Sequence, residues 1–135
     1  MIGGVVTSSV IGRQIARRRH EEDDLQHAVI TFLRWALPHD AMAWAIPNGG
    51  KRNKREAARM KGLGVVSGIP DIGICFRGRC IFLELKSARG VMSEAQKAMH
   101  KKLIYCGADV MLCRNLDDVY ASLTEACVPL KAVPT

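Results

Sequence analysis

Residues 71–86 read DIGICFRGRCIFLELK and are the most informative part of the chain. Apolar residues alternate with other residues on both sides of Arg77-Gly78, a dipeptide suited to a two-residue turn. Alternation with a period of two is typical of a strand with one buried face. The segment therefore predicts a β-hairpin with strands at 71–76 and 79–86.

The turn determines which residues of the two strands face each other. A two-residue loop at 77–78 pairs Phe76 with Arg79 and, further along the ladder, Asp71 with Glu84. One face of the hairpin is then entirely apolar, and a slip of one residue would mix the two faces. The apolar face comprises Ile72, Ile74, Phe76, Ile81, Leu83 and Leu85, and the other comprises Asp71, Gly73, Cys75, Phe82, Glu84 and Lys86.

The second face brings two carboxylates together. Directly opposed side chains have Cβ atoms about 5 Å apart, so Asp71 and Glu84 repel unless a cation lies between them or one keeps its proton. A hard divalent ion such as Mg²⁺ would relieve the repulsion. Lys86 shares this face and would stabilise a nearby hydroxide or phosphate oxygen. The alternative is a solvated salt-bridge cluster, which is disfavoured because the following helix should cover this face.

A helix before the hairpin supplies further acids. Helical spacing of apolar residues predicts a helix that begins near Glu21 and ends at Pro38. At 100° per residue, Glu22 lies about 40° and Glu21 about 60° from the centre of the apolar stripe. Glu22 is therefore the candidate for a third site carboxylate and Glu21 its competitor, although acids in a first turn also complement the helix dipole. The stripe consists of Leu25, Val29, Phe32, Leu33 and Ala36.

The other patterns complete an α/β domain. A Ser-x-x-Gln capping box at Ser93 opens one helix, and Gly62 and Gly107 are typical helix stops. The predicted order of helices and strands gives a central mixed sheet flanked by helices. The remaining predicted elements are a strand at 43–46, a helix at 53–61, a helix at 93–106, a strand at 109–113 and a helix around 116–123.

Length and composition restrict the class of protein. The chain has 135 residues, a hydrophobic fraction of 48% and a net charge of +7. It is too apolar for a disordered polycation, and no apolar run approaches the roughly 18 to 20 residues of a membrane span. The charge favours an acidic partner, either nucleic acid or an anionic membrane surface. The predicted organisation is a flexible basic arm at 1–20, a single domain at 21–127 and a tail at 128–135.

The cysteines indicate the compartment. All five lack CxxC spacing, which argues against a structural zinc site and favours a reducing cytoplasm. The arginines at 17–19 follow the mildly apolar N-terminus instead of preceding it, the wrong order for a secretory signal.

Residues 48–62 form a basic cluster next to a glycine-rich turn. They carry six basic residues against Glu56. The turn exposes backbone N–H groups that can approach a phosphate. Aromatic residues are few, so the cluster favours contacts with a duplex backbone over base stacking. The candidate DNA-binding residues are Asn48, Gly49, Gly50, Arg52, Lys54, Arg55, Arg59 and Lys61.

These residues also match a family pattern. Pro70-Asp71, an interval of 12 residues, and Glu84-Leu85-Lys86 match the PD-(D/E)XK nuclease signature. With the further matches, the sequence resembles the VRR-NUC family, the virus-type replication-repair nuclease domain, over about residues 21–114. The further matches are Asn48-Gly49-Gly50, Arg52, Ala57, Lys61-Gly62, Gly64, Gly68, Gly90, Ser93 and Gln96.

The resemblance implies a restriction-endonuclease-like core and a site that holds one or two Mg²⁺ or Mn²⁺ ions. A lysine there positions or activates the attacking water, and a glutamine flanks the site or only caps its helix. Stand-alone members resemble Holliday junction resolvases and act as homodimers. The implied metal-binding residues are Asp71, Glu84, Leu85 through its carbonyl and Glu22, and the catalytic set adds Lys86 and Gln96.

The predicted function is a metal-dependent, structure-selective DNA endonuclease similar to a Holliday junction resolvase. The predicted location is the cytoplasm of a bacterium or phage-infected host cell, and neither a membrane nor a small-molecule substrate is expected. The resemblance implies a homodimer, and branched DNA is the expected substrate. One alternative is a nuclease that nicks flapped or linear DNA without junction preference. Another is a non-catalytic basic DNA-binding module, which the opposed acids beside Lys86 disfavour.

Overall fold

Helices and strands follow each other in the predicted order in a computed structural model, which describes residues 8–47 and 53–135. The predicted DNA-binding residues Asn48, Gly49, Gly50 and Arg52 lie outside the described residues. The elements are α1 (Ser8–Ala36), β1 (Ala41–Ala45), α2 (Lys54–Gly62), β2 (Ile72–Phe76), β3 (Arg79–Leu85), α3 (Glu94–Tyr105), β4 (Asp109–Cys113) and α4 (Leu116–Glu125).

The strands form one mixed sheet in the order β1-β2-β3-β4. β1 and β2 pair antiparallel, as do β2 and β3, and β4 runs parallel to β3 because α3 crosses over between them. Phe76 pairs with Arg79 and Ile72 with Leu83, which confirms the predicted hairpin register. Arg77 and Gly78 have φ values of 51° and 79°, as a two-residue turn of type I′ requires.

The core lies on the predicted apolar face of the sheet. All six apolar residues of the hairpin on this face are buried, none more than 7% exposed. Helices α1 and α4 cover the face with a stripe of buried side chains that reduces the apolar area in contact with water. The helical residues of this core are Val29, Phe32, Leu33, Ala36, Val119 and Leu123.

The opposite face of the sheet is covered by α3 at one end and remains open at the other. The indole of Trp44 on β1 lies over Gly73, where an added Cβ would overlap the ring. Further from α3, Met42, Cys75 and Cys80 are exposed. The end of the hairpin that carries Asp71 and Glu84 therefore lies at the covered part of this face.

Helix α1 begins at Ser8 instead of the predicted Glu21, so residues 8–20, predicted as a flexible arm, are helical. This half of the helix is exposed and has no buried face, so it lacks the apolar periodicity that predicted the rest. An ion pair from Arg17 to Glu21 and a side-chain contact from His20 to Asp24 link it to the packed half. Neither α1, at 29 residues, nor any other helix in the described ranges is apolar enough to cross a membrane.

The C-terminal segment packs against the domain, although residues 128–135 are predicted as a tail. Val128 is only 2% exposed, and the N–H of Lys131 donates to the carbonyl of Ala36 at 2.8 Å. Leu130 and Ala132 also contact the core. These contacts extend the packed part of the chain beyond residue 127.

Candidate active site

Asp71 lies immediately before β2 and is held by backbone hydrogen bonds on both sides. Its N–H donates to the Leu83 carbonyl at 3.1 Å, and its own carbonyl accepts from the Ile46 N–H at 2.8 Å. Its Oδ2 accepts a hydrogen bond from the Leu85 N–H at 2.8 Å. The carboxylate is therefore directed across the ladder toward β3, as the predicted pairing of Asp71 with Glu84 requires.

Glu84 is the most deeply buried acid among the described site residues, at 1% exposed. Its Oε1 lies 3.1 Å from Nε2 of His100 on α3. Burial raises the pKa of Glu84 to about 9, and a hydrogen bond with Asp71, the charge of Asp71 and, more weakly, Glu22 act in the same direction. The positive charge of Lys86 opposes this shift. The three ionisable groups that act on the pKa of Glu84, namely Asp71, Glu22 and Lys86, are therefore close enough to form one electrostatic cluster with it.

Gly90 marks the point where the side chains of Glu22, Lys86 and Ser87 converge. A Cβ added there would lie 3.2 Å from Oε1 of Glu22, 3.1 Å from Oγ of Ser87 and 3.4 Å from Cδ of Lys86. Glycine at this position therefore lets the loop after β3 approach α1. The approach brings Glu22 from a distant part of the chain to the end of the hairpin.

The structure separates the two candidate acids of the first helix. Glu22 is half-buried and lines the groove that contains Asp71. Glu21 is exposed and pairs with Arg17 at 3.3 Å. Glu22 is therefore the acid brought into the cluster, and Glu21 is not.

The donor set of the cluster fits a divalent cation. Two carboxylates that meet at a buried position need either a shared proton or a cation. The buried Oγ of Ser87 has no hydrogen-bond partner among the described residues, which leaves a further oxygen beside the acids. Within 8–47 and 53–135, no three His, Cys, Asp or Glu side chains are grouped closely enough to hold a metal ion by themselves. Mg²⁺ needs no such group, because it commonly takes one or two carboxylates and completes its coordination with water.

Two residues of the site were not predicted from the sequence. His100 approaches Glu84 from α3, as described above. Nη1 of Arg114, which follows β4, donates to the carbonyls of Ser87 at 2.6 Å and Gly90 at 2.7 Å. Arg114 therefore fixes the loop that presents Gly90 to Glu22. Neither residue carries a sequence signal, since each acts on a partner that only the fold brings near.

Gln96 has the structural role that was predicted as an alternative to site flanking. Its Oε1 accepts from the Ser93 N–H at 2.9 Å, and Oγ of Ser93 accepts from the Gln96 N–H at 3.1 Å. Both hydrogen bonds of the capping box are therefore present. Gln96 also lines the groove beside Asp71, so the same residue caps α3 and borders the candidate site.

A groove of about 1190 Å³ leads to the acids. Arg19 and Glu22 of α1 line one part, Lys61 of α2 lines another, and the glycine-rich connection at 64–69 lies between them. Gly68 has a φ of 80°, and a Cβ there would overlap the carbonyl of Ala95, so glycine is needed for the connection to pack on α3.

The structure describes four of the predicted DNA-binding residues, all of them on α2, and one of the four lines this groove. Lys54, Arg55, Arg59 and Lys61 are all exposed, and Lys61 lines the groove directly. Arg59 pairs with Glu56 at 3.4 Å. The N-cap of α2 is Asn53, whose side chain accepts from the Glu56 N–H at 2.8 Å. The described half of the basic cluster is therefore an exposed, N-capped helix that reaches the groove at Lys61.

No protein-family model matches the sequence, and no curated protein matches it. The fold is similar to that of a solved structure described as a VRR_NUC domain protein, with a TM-score of 0.59 and 21% sequence identity. The similarity covers 78% of this chain and 86% of that one. The predicted mixed sheet flanked by helices is confirmed, and the chain has the fold of a VRR_NUC domain protein.

Proposed function

We propose that this chain is a metal-dependent, structure-selective DNA endonuclease of the VRR-NUC family, similar in action to Holliday junction resolvases. The observation that carries the proposal is the half-buried Asp71 acting on the buried Glu84 through a hydrogen bond and its charge, with Lys86 near enough to act on the same carboxyl. A protein that only binds DNA gains nothing from burying carboxylates next to phosphates, because the charges repel. The groove that leads from this pair runs past basic residues of two helices, which suits a polyanion.

Each residue of the cluster has a distinct role in this proposal. Asp71, Glu84 and the Leu85 carbonyl would hold Mg²⁺ or Mn²⁺, and Glu22 would complete the site. A divalent ion bound there supplies a Lewis acid for a phosphate oxygen and lowers the pKa of a bound water. The ammonium group of Lys86 helps to position the attacking water and stabilises negative charge that develops on oxygen.

The substrate would be held through its backbone. Lys54, Arg55, Arg59 and Lys61 present charge from α2 beside the groove, and phosphate contacts of this kind carry no base sequence. Recognition by phosphate positions alone favours a substrate defined by shape, such as a branched junction. In a homodimer with two-fold symmetry, two such sites would cut paired strands symmetrically.

The test is cleavage of a labelled four-way junction compared with a flap and a matched linear duplex. We expect the junction to be cut preferentially in Mg²⁺ or Mn²⁺ and not in EDTA. Asp71→Asn should bind the junction without cutting it, whereas the control Asp117→Asn, an exposed acid on α4, should cut normally.

Three results would decide between the alternatives. Equal cutting of duplex and junction would overturn junction selectivity in favour of a general nickase. Binding without cleavage in any divalent ion would overturn the nuclease and leave a DNA-binding module. If the protein is a monomer and cuts only one strand of each bound junction, the proposal of a symmetric dimer would be overturned.

A further inference from the structure

Three sulfur-containing residues lie in one row on the face of the sheet opposite the core. Met42 on β1 pairs with Cys75 on β2, and Cys75 pairs with Cys80 on β3. Residues that pair directly across neighbouring strands have side chains on the same face of the sheet. We call these three residues the sulfur row. Its two thiols and one thioether therefore point to the same side of three adjacent strands.

The sulfur row is exposed, which is unusual for cysteine. Cys75 and Cys80 are both exposed, and Met42 is 66% exposed. Free cysteine is among the most frequently buried residues, because it behaves as a small apolar side chain. Neither thiol belongs to the buried core of this domain. Packing does not account for the two cysteines, and both are accessible to a ligand from solvent.

The hairpin turn brings the two thiols close together. A type I′ turn is closed by hydrogen bonds between the two residues that flank it, so the next pair of the ladder, Cys75 with Cys80, is not hydrogen-bonded. Cα atoms of such a pair are about 4.5 Å apart, the closest approach in an antiparallel ladder. Two thiolates that share one ion through bonds of about 2.3 Å have sulfur atoms at most about 4.6 Å apart. Rotation of the two side chains can therefore bring both sulfurs to one ion without a change in the backbone.

The chemistry of the sulfur row selects the kind of ion. Thiolate and thioether groups are soft ligands, which favour Cu⁺ over hard cations such as Mg²⁺. A structural Zn²⁺ ion takes four ligands. In the ranges 8–47 and 53–135, no third His, Cys, Asp or Glu is grouped with the two thiols closely enough to hold a metal ion. Cu⁺ needs no further ligand of this kind, because two thiolates suffice for it and a thioether can add to them.

We propose that Cys75 and Cys80 bind one Cu⁺ ion as thiolates, with Sδ of Met42 as a third and weaker ligand. Both thiols release their protons to solvent when they bind, and no electron is transferred. Met42 favours the ion over a disulfide between the cysteines, because a disulfide makes no use of a thioether. The inference is independent of the proposed nuclease. Cys75 lies four residues from Asp71, which is about 13 Å along an extended strand.

The experiment is an anaerobic titration of the reduced protein with Cu⁺ in competition with the chelator bicinchoninate, which gives stoichiometry and affinity. Cys75→Ser/Cys80→Ser removes both thiolates of the site. Cys106→Ser/Cys127→Ser removes two other exposed cysteines and is the matched control. Thermal melting confirms that both variants fold.

The wild type and the control should each bind one Cu⁺ per chain tightly, and Cys75→Ser/Cys80→Ser should lose this ion. Met42→Leu should weaken the affinity about 10-fold, the lower end of the effect of residues that support metal ligands. Asp71→Asn should bind Cu⁺ as the wild type does, because the acids lie outside the sulfur row.

Several results would overturn the site. Equal Cu⁺ binding by the wild type and Cys75→Ser/Cys80→Ser would do so, as would loss of the ion in the control or in Asp71→Asn. An unchanged affinity of Met42→Leu would remove the thioether from the site, and tighter binding of Zn²⁺ than of Cu⁺ would overturn the choice of ion.

Two further results would replace the site by another use of the same thiols. One ion per two chains, with a copper-dependent dimer on sedimentation, would show a bridge between two copies instead of a site within one chain. A protein that binds no Cu⁺ but forms a disulfide between Cys75 and Cys80 on reaction with oxidised glutathione would show a redox pair instead of a metal site.

Discussion

Nε2 of His100 lies 3.1 Å from Oε1 of Glu84, and the two side chains are only 11% and 1% exposed. The contact joins α3 to β3 across the polar face of the sheet. It occupies one oxygen of the Glu84 carboxylate and fixes the rotation of the group. Residues that orient a ligand carboxylate in this way tune the affinity for the metal without touching it.

Truncating His100 should therefore weaken metal binding more than it weakens the fold. We expect His100→Ala to raise the Mg²⁺ concentration needed for half-maximal cleavage about 10- to 100-fold. His100→Gln, whose amide can replace the lost contact, should recover part of the affinity. Calorimetric titration with Mn²⁺ measures the same change without catalysis. Lys101→Ala, the exposed neighbour on α3, is the control and should match the wild type.

An unchanged metal dependence of His100→Ala at an unchanged melting temperature would contradict this role. A fall in melting temperature with normal metal affinity would make His100 only a packing residue of the core.

The metal-free protein should become less stable as the pH rises. Burial, followed by the hydrogen bond and charge of Asp71, raises the pKa of Glu84 from 4.5 to about 9. Between these two values the folded protein holds a proton that the unfolded chain has lost, so the free energy of unfolding falls with increasing pH. Chemical denaturation in EDTA at pH 5 and at pH 8, both within this range, measures the difference in the free energy of unfolding.

Glu84→Gln removes the titration while keeping the shape of the side chain. We expect this variant to be more stable than the wild type at pH 8 in EDTA and to show a flatter pH dependence. Adding Mg²⁺ should stabilise the wild type at this pH and leave the variant unchanged. Glu125→Gln, an exposed acid at the end of α4, is the control. A wild type whose stability does not change over this range would contradict the shift at Glu84.

The parts of the fold that the sequence predicted correctly are those in which apolar residues recur with a regular period along the chain. Alternating apolar residues determine the register of β2 and β3, because a shift of one residue in the pairing would turn the buried apolar side chains of one strand to the opposite face. The outer half of α1 was missed because an exposed helix carries no apolar period. His100 and Arg114 were missed for another reason, since they contact residues 16 and 27 positions away. A side chain's partner across a sheet leaves no period in the sequence, so only the folded structure reveals it.

Arg114 should matter more for stability than an arginine in an exposed ion pair. Its Nη1 donates to three carbonyls of the loop at 87–90, those of Ser87, Ala88 and Gly90. Without the donor, part of the desolvation cost of the partly buried carbonyls is left uncompensated. We expect Arg114→Ala to lower the free energy of unfolding by about 1–3 kcal/mol, the usual cost of unpaired buried groups. Cleavage should fall as well, because the loop carries Gly90 next to Glu22.

The comparison for Arg114 is Arg79, whose 2.9 Å ion pair with Asp109 is partly exposed. Such pairs contribute about 0–1 kcal/mol to stability, so the free energy of unfolding of Arg79→Ala should be close to that of the wild type. Urea denaturation of both variants measures the difference. Equal destabilisation by the two substitutions would show that Arg114 does not fix the loop.

A single methyl group at Gly90 should reduce activity without unfolding the protein. In Gly90→Ala the new Cβ would lie 3.1 Å from Oγ of Ser87 and 3.2 Å from Oε1 of Glu22. Both distances are shorter than ordinary contacts, so the loop after β3 or the Glu22 side chain must move by a few tenths of an ångström. Because catalysis depends on alignment within fractions of an ångström, we expect the cleavage rate to fall about 10- to 100-fold.

The stability of Gly90→Ala should change little, because alanine restricts the unfolded chain and offsets the crowding by about 0.4–1 kcal/mol. Gly62→Ala provides the control, since a Cβ at Gly62 meets no atom of the described residues within 4 Å. Single-turnover cleavage at saturating Mg²⁺ separates a slower chemical step from weaker metal binding. A normal rate in Gly90→Ala would show that the approach of this loop to Glu22 is not needed for the reaction, and Glu22 would then lose its place in the site.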